Sequence, residues 1–392
     1  MSEHPLSTPL APAPPGLPAC ALVDLDAISS NVAELKRRAG GADVMAVVKA
    51  DAYGHGLVPS ARAALAGGAG WLGVAQLPEA LELRAAGIEA PVLSWLHVPG
   101  QDFASALRHG VDLGISTTWA LAEVADAAGR AGQRARIHLK VDTGLARNGA
   151  WDDDLVEVLE QTARLQAEDA VEVVGIFSHF AYADAPQHPT VKAQQERFEG
   201  VVAQAERAGV RPQVRHLANS AATLTNPSAH YDLVRPGVAV YGLSPVPDLG
   251  SPADFGLREA MRLVSRLSSV KDAPAGQGVS YGHTYTTSEQ TRLGLVPMGY
   301  SDGVPRHASS VGPVQVGDRR YAVAGRVCMD QFVLDLGPDS AARPGDEVVL
   351  FGVGAAGEPT AQDWAAAVGT INYEIVTRVG ARVPRVHTGG AQ

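Results

Sequence analysis

The chain has 392 residues, enough for two hydrophobic cores rather than one. Its composition, 46% apolar and 19% charged, is that of a folded globular protein, and 32 basic against 42 acidic residues leave a formal charge of −10. That balance argues against a nucleic-acid partner, which needs a basic face, and the only two cysteines, Cys20 and Cys328, have no paired spacing that would indicate a disulfide framework or a zinc site.

The first twenty residues, MSEHPLSTPLAPAPPGLPAC, carry six prolines but neither a basic leader nor a continuous apolar stretch. They read as a disordered extension and not as a secretory signal. No apolar run approaches the roughly 20 residues needed to span a bilayer, so no membrane partner is expected and the expected compartment is the cytoplasm.

After the extension, apolar runs recur in chain order: 44–50, 71–76, 91–96, 113–117, 136–144, 171–180, 214–220 and 233–242. Several are nearly continuous in valine, leucine and isoleucine, as parallel strands buried on both faces are. The intervals read as helices. Residues 78–87 have Pro78 near the start and Gly87 past the end; 191–208 place Val191, Phe198, Val202 and Ala205 on one face before Gly209. Residues 27–39 form a third, with Asp26 as the expected N-cap. Eight strands alternating with helices predict a closed (β/α)8 barrel over residues 21–256. The competing doubly wound sheet is weakened because no G-x-G-x-x-G follows the first strand. The run at 21–25 is either a ninth barrel strand or a strand of a second domain. From residue 257 to 392 the runs shorten and are punctuated by Pro, Gly and Asp, which predicts a mostly β domain.

On the assumption of a barrel, the strand ends are the place for chemistry. The first strand ends in Lys49 with Tyr53 just beyond; the fifth brings Lys140, Asp142 and Arg147; the sixth brings Ser178 and His179. The seventh brings His216, Asn219 and Ser220, and the eighth Arg235, Gly237 and Val238. Taken singly, each has an ordinary reading: a lysine reaching out to water, a core histidine, a surface arginine, a helix cap followed by a turn. Taken together, a desolvated amine able to attack a carbonyl and a phosphate cradle after strands seven and eight point to pyridoxal phosphate.

The motifs AVVKADAYGHG, LKVDTGLARNG, FSHFAYAD, LANSA, RPGVAVYG, VSYGHTY, PMGYSDGVPR, GRVCMDQ and TINYE then resemble, in order and from about residue 20 to 387, the pyridoxal-phosphate-dependent alanine racemases. That resemblance implies an isomerase interconverting L-alanine and D-alanine with two bases. Lys49, bonded to the cofactor, serves one face of the substrate; Tyr281, supplied by the other subunit of a homodimer, serves the opposite face. It further implies that Tyr53, Ser220, Gly237, Val238 and Tyr373 hold the cofactor phosphate. Arg235 bonds the pyridine nitrogen, and His179 lies between Arg235 and Tyr281. Arg147 and the backbone N–H of Met329 receive the substrate carboxylate, Tyr300 and Tyr373 narrow the entrance, and Lys140 sits where relatives carry a carbamate. Leu145 and Asn148 depart from the family pattern. A broad-specificity racemase and a barrel-type amino-acid decarboxylase are the enzyme alternatives, although Arg235-Pro236-Gly237 lacks the glutamate of the decarboxylase phosphate motif. A non-catalytic cofactor carrier would be a single barrel without the Tyr281 domain.

Overall fold

The computed structural model describes residues 14–390, so most of the segment read as an extension lies outside it. The chain divides into two compact units, one of residues 28–52 and 57–257, the other of residues up to 27, 53–56 and 258 onward.

Strand β1 (Ala19–Asp24) is buried throughout and belongs to the second unit, where it pairs antiparallel with Met261–Arg266 and parallel with Arg385–Thr388. The run at 21–25 is therefore not a barrel strand, and Ala19 and Cys20, composed like the extension, are already in the sheet. The helix that follows spans Leu25–Ala39. Its first turn is capped by Asp24, whose carboxylate accepts the Ala27 N–H at 3.0 Å; Asp26, the expected cap, accepts instead from Gly390.

The first unit is the barrel. Its strands are β2 (Asp43–Val47), β3 (Trp71–Gln76), β4 (Val92–Leu96), β5 (Val111–Ile115), β6 (Ala135–Lys140), β7 (Val171–Phe177), β8 (Val214–His216) and β9 (Leu233–Val234). All eight are parallel, in the order β8-β7-β6-β5-β4-β3-β2-β9. A parallel bridge between Asn219 and Arg235, with Arg235 N–H donating to Ala218 O at 2.8 Å, closes the ring. The expected (β/α)8 barrel is thus the observed fold, and every apolar run from 44 to 242 contains one strand. The last two are shorter than their runs because the chain turns away after three and two residues respectively. Met45, Leu93 and Leu233 pack inside against Trp71, Trp95 and Val214.

The second unit is mostly β, with a six-stranded sheet that includes β1, a three-stranded sheet, a two-stranded ribbon and two short helices, Ala361–Val368 and Asn372–Thr377. Residues 53–56 dock here: a Cβ on Gly54, at φ +82°, would lie 2.5 Å from the Val376 carbonyl oxygen, so only glycine permits that approach.

The loop after β6 folds back on its own strand, with Ala150 N–H donating to Lys140 O and Asp142 N–H to Ala150 O. Gly149, at φ +139°, allows this; a Cβ there would stand 2.4 Å from the Asp142 backbone nitrogen. Gly149→Ala should therefore destabilise the fold by about 1–3 kcal/mol. A thermal unfolding midpoint indistinguishable from that of the parent would contradict this account of the loop.

Candidate active site

The barrel strand β2 stops at Val47, and Lys49 opens a turn. Ala50, Asp51, Ala52 and Tyr53 all have φ of 54°, a left-handed turn built without glycine. Such residues cost roughly 1–2 kcal/mol each, so neighbours must fix them. Glu79 does so by accepting the Ala50 N–H at 2.6 Å while its other oxygen accepts from Ala75 and Gln76, and Asp51 accepts the Leu57 N–H at 2.7 Å. The Lys49 amine is thereby held at the rim, near the face of Trp95. Burial lowers its pKa, the Arg147 cation lowers it further, and Glu79 opposes both.

Arg147 is presented by a loop organised on one carboxylate. Asp142 accepts backbone N–H groups from Gly144, Leu145, Ala146 and Arg147 at 2.8–3.2 Å. Asn148, one of the two departures, is itself held, accepting from the Ser116 hydroxyl at 3.0 Å. Lys49, Lys140, Arg147 and Asn148 line a cavity of about 480 Å³ with Trp95 and His97. Lys140 is buried against the Phe177 ring. Burial, reinforced by Arg235 and Arg147, lowers its pKa to about 8.

Arg235 is buried, and burial brings its pKa down to about 9. One terminal nitrogen, Nη2, donates to Ser178 O at 2.7 Å and reaches His179 Nδ1 at 3.4 Å; the other, Nη1, lies 3.3 Å from His216 Nδ1. Burial and the surrounding cations keep His179 well below its usual pKa, so at neutral pH it is uncharged. Beside it, the Ser220 hydroxyl accepts the Gly237 N–H at 2.7 Å and the Ala239 N–H at 3.3 Å, which leaves its own O–H as a donor. Val238 begins the 3₁₀ turn that follows Gly237. Asn219 does what an ordinary cap does, accepting the Ala222 N–H.

The remaining sequence candidates lie in the second unit. Tyr53 and Tyr373 are ring neighbours with centroids 6.3 Å apart, and burial keeps the Tyr53 phenol protonated. Tyr281, Tyr300 and Met329 are all exposed, at 71%, 44% and 53%. Their loops are joined: Tyr300 N–H donates to Cys328 O, Ser301 to Met329 O, and the Ser280 hydroxyl donates to Arg326 O. Ser280, Gly282 and His283 all have positive φ, so Tyr281 rides on a tightly wound turn.

Sequence reasoning passed over Glu79, Trp95, Asp112 and His138. For Trp95, Asp112 and His138 the signal was a bulky or polar residue set in an otherwise apolar strand, where a buried polar group needs a partner; Glu79, in the first turn of a helix, carried no such signal.

A parallel barrel whose carboxyl rim collects a desolvated amine, two buried cations and a hydroxyl-amide turn has the architecture of a barrel enzyme. Comparison with known proteins gives the family. Residues 23–245 match the model of the alanine racemase N-terminal domain and residues 260–387 that of the C-terminal domain. The chain is 60% identical over 375 residues to the alanine racemase of Frankia casuarinae, covering 96% of this chain and 97% of the relative. It is 49% identical over 385 residues to that of Mycolicibacterium smegmatis, covering 98% of each. A crystal structure of alanine racemase from Streptomyces lavendulae superposes with a TM-score of 0.94 at 54% identity, covering 95% of this chain and 97% of that one. The chain belongs to the alanine racemase family and is an isomerase.

The low pKa of Lys140 has a consequence for stability. Between about 8, its folded value, and 10.5, its ordinary one, the unfolded chain carries a proton that the folded chain lacks, so this residue makes stability rise with pH across that window. Lys140→Met should raise the melting midpoint at pH 7 by about 2–4 °C, as expected for roughly 1 kcal/mol. It should also flatten the pH dependence. An unchanged pH profile in cofactor-free protein would refute the assignment.

Proposed function

We propose that this protein interconverts L-alanine and D-alanine, with pyridoxal phosphate held at the barrel mouth of a cytoplasmic homodimer. The observation that carries the reading is Lys49, a half-buried amine with a lowered pKa on a turn fixed at the rim, in a chain that matches alanine racemases along nearly its whole length. The residues present fit the cofactor. The Arg147 and Arg235 cations lower the pKa values of Lys49 and Lys140, and a dianionic phosphate bearing an aldehyde would relieve that excess of positive charge and supply a carbonyl for the amine. With the Gly237 N–H taken by the Ser220 hydroxyl, the Ser220 O–H and the Val238 N–H would be the donors to the phosphate in the turn at Gly237, and Tyr53 and Tyr373 would add phenols.

When bound, the cofactor provides the electron sink that makes an amino acid's α-hydrogen removable. The chain supplies the rest. Lys49 Nζ carries the proton on one face, and the partner subunit's Tyr281 carries it on the other, so neither base has to travel around the carbon. Tyrosine's reference pKa is near 10, so it needs donors to favour its anion. A neutral His179, its Nδ1 turned to Arg235, keeps its proton on Nε2 and offers it as a hydrogen bond, not as a charge. Arg235 would donate to the pyridine nitrogen of the bound cofactor and, being a poor acid, would leave it without a proton of its own. This weakens the sink and restrains side reactions such as transamination. Arg147, backed by Asp142, receives the substrate carboxylate together with the Met329 N–H, and Tyr300 and Tyr373 restrict the site to a small side chain.

Borohydride reduction of the purified protein followed by peptide mapping should mark Lys49, and L-alanine should yield D-alanine. Lys49→Ala should abolish turnover. Tyr281→Phe should slow racemisation by about 100–10,000-fold while the α-hydrogen of one enantiomer still exchanges with solvent. Release of carbon dioxide would point to a decarboxylase instead, and bound cofactor without turnover of either enantiomer to a carrier.

The pKa of Lys140 leaves a substantial neutral fraction near pH 8, the form that reacts with carbon dioxide. A carbamate there would replace a cation beside Arg147 with an anion. Intact-mass measurement in bicarbonate should show one added carbon dioxide, lost in Lys140→Met; an unmodified mass in both would overturn this part of the reading.

A further inference from the structure

Behind Arg235 a line of polar groups runs through the barrel interior. His216 Nε2 is 2.9 Å from His138 Nδ1, His138 Nε2 is 3.4 Å from Asp112 Oδ2, and Asp112 accepts from Arg136 at 2.7 and 3.2 Å. His216 and His138 are wholly buried and Asp112 is 1% exposed. Phe177 stacks on His216 at 4.8 Å, and Trp71 packs edge-on to His138. Arg136 and Asp112 are each the second residue of their strands, β6 and β5, so the line ends near the barrel's amino side, opposite the cavity.

Only one placement of protons satisfies every link. Arg235 can only donate, so His216 Nδ1 accepts. Its proton is then on Nε2, which donates to His138 Nδ1, and His138 Nε2–H donates to the Asp112 carboxylate. A second proton on either imidazole would set two donors against each other. Burial lowers the pKa of both histidines, in agreement with the neutral forms this pattern needs. A half-satisfied buried network is worse than an apolar core, whereas this one is complete and runs in a single direction. Gly175 supports the arrangement: a Cβ there would stand 2.4 Å from His138 Nδ1 and 3.0 Å from His216 Nε2, in the space the imidazole pair occupies.

We propose that Asp112, His138 and His216 are positioning residues that fix the plane and donor direction of Arg235 from the far side of the barrel. The proposal rests on the role given to Arg235 above, but its first test does not. In histidine-labelled full-length protein, examined by nitrogen-15 NMR at pH 7 with and without pyridoxal phosphate, both imidazoles should carry a proton on Nε2 and none on Nδ1. A Nδ1–H form or a doubly protonated ring at either position would overturn the relay, whether or not the protein racemises alanine. The second test uses Asp112→Asn, which sets an amide N–H₂ against Arg136, and Gly175→Ala, which crowds the imidazole pair. Glu172→Gln is the control, because Glu172 touches Arg136 only from the solvent side at 3.5 Å. In the loaded enzyme, the first two should lower kcat by roughly 10–100-fold, with KM for alanine within about twofold. The control should leave both unchanged. Folded Asp112→Asn or Gly175→Ala protein with undiminished kcat would also overturn the proposal. Should both variants fail to fold, the tautomers in the parent protein still decide it.

Discussion

Much of this site follows from one electrostatic constraint: too much positive charge is held out of water at the barrel mouth. Lys49, Lys140, Arg147 and Arg235 come from three strand ends, and Lys49, Lys140 and Arg235 titrate below their ordinary values chiefly because burial opposes the charge. Such an arrangement is costly in the free protein, and an anionic guest would offset the cost. It also sets the chemistry. A lysine left in water would be an ammonium ion at neutral pH, whereas one pressed against Trp95 and beside Arg147 is closer to a usable amine.

The backbone around these cations is correspondingly over-determined. A four-residue left-handed turn without glycine would unwind if Glu79 did not accept the Ala50 N–H and Asp51 did not tie the turn to the Leu57 N–H. The Arg147 loop would collapse if Asp142 did not accept four N–H groups at once. In both places a carboxylate is spent on backbone donors and not on pairing with a nearby cation. That division leaves the cations facing the cavity and assigns the carboxylates to geometry, which is the division a site for an anionic ligand requires.

The fold was legible because parallel barrel strands are buried on both faces, so valine-rich runs such as 171–180 announce themselves without alternation. Their ends were less legible. Nothing in VVKADAY signals that the strand stops at Val47 and winds left-handed, because that turn is stabilised by Glu79, far along the chain. The cap of the first helix was misplaced by two residues, since Asp24 and Asp26 are equally good caps and only the docking of β1 selects Asp24. The affiliation of β1 could not be read from ALVDL, as either sheet would accept so uniformly apolar a segment. Among candidate site residues, Lys49, Arg147 and Arg235 stood out because a cation at the end of an apolar run is conspicuous. Asp112 and His138 did not, because one polar residue within a strand is ambiguous until its partners on other strands are known.

The two units divide the candidate chemistry unevenly, and this bears on why a racemase of this kind would need two chains. The barrel carries the amine, the cationic pocket and the buried support of Arg235. The exposed phenols and the Met329 amide ride on the β unit. On the proposed reading, a general base for one face of a substrate can sit half-buried in the barrel rim from the start, as Lys49 would. A base for the opposite face must approach from outside, and so must be exposed before assembly and yet stiff. Tyr281 meets both demands: its side chain stands largely in solvent, while the backbone on either side is wound through positive φ at Ser280, Gly282 and His283 and tied to Arg326 by the Ser280 hydroxyl. An exposed aromatic on a floppy loop would lose entropy on docking and arrive in many poses; one on a pre-wound turn loses little and arrives in few. Rigidity at a solvent-exposed tyrosine is therefore what the proposed two-faced proton transfer would ask of the β unit, just as desolvation is what it would ask of the barrel.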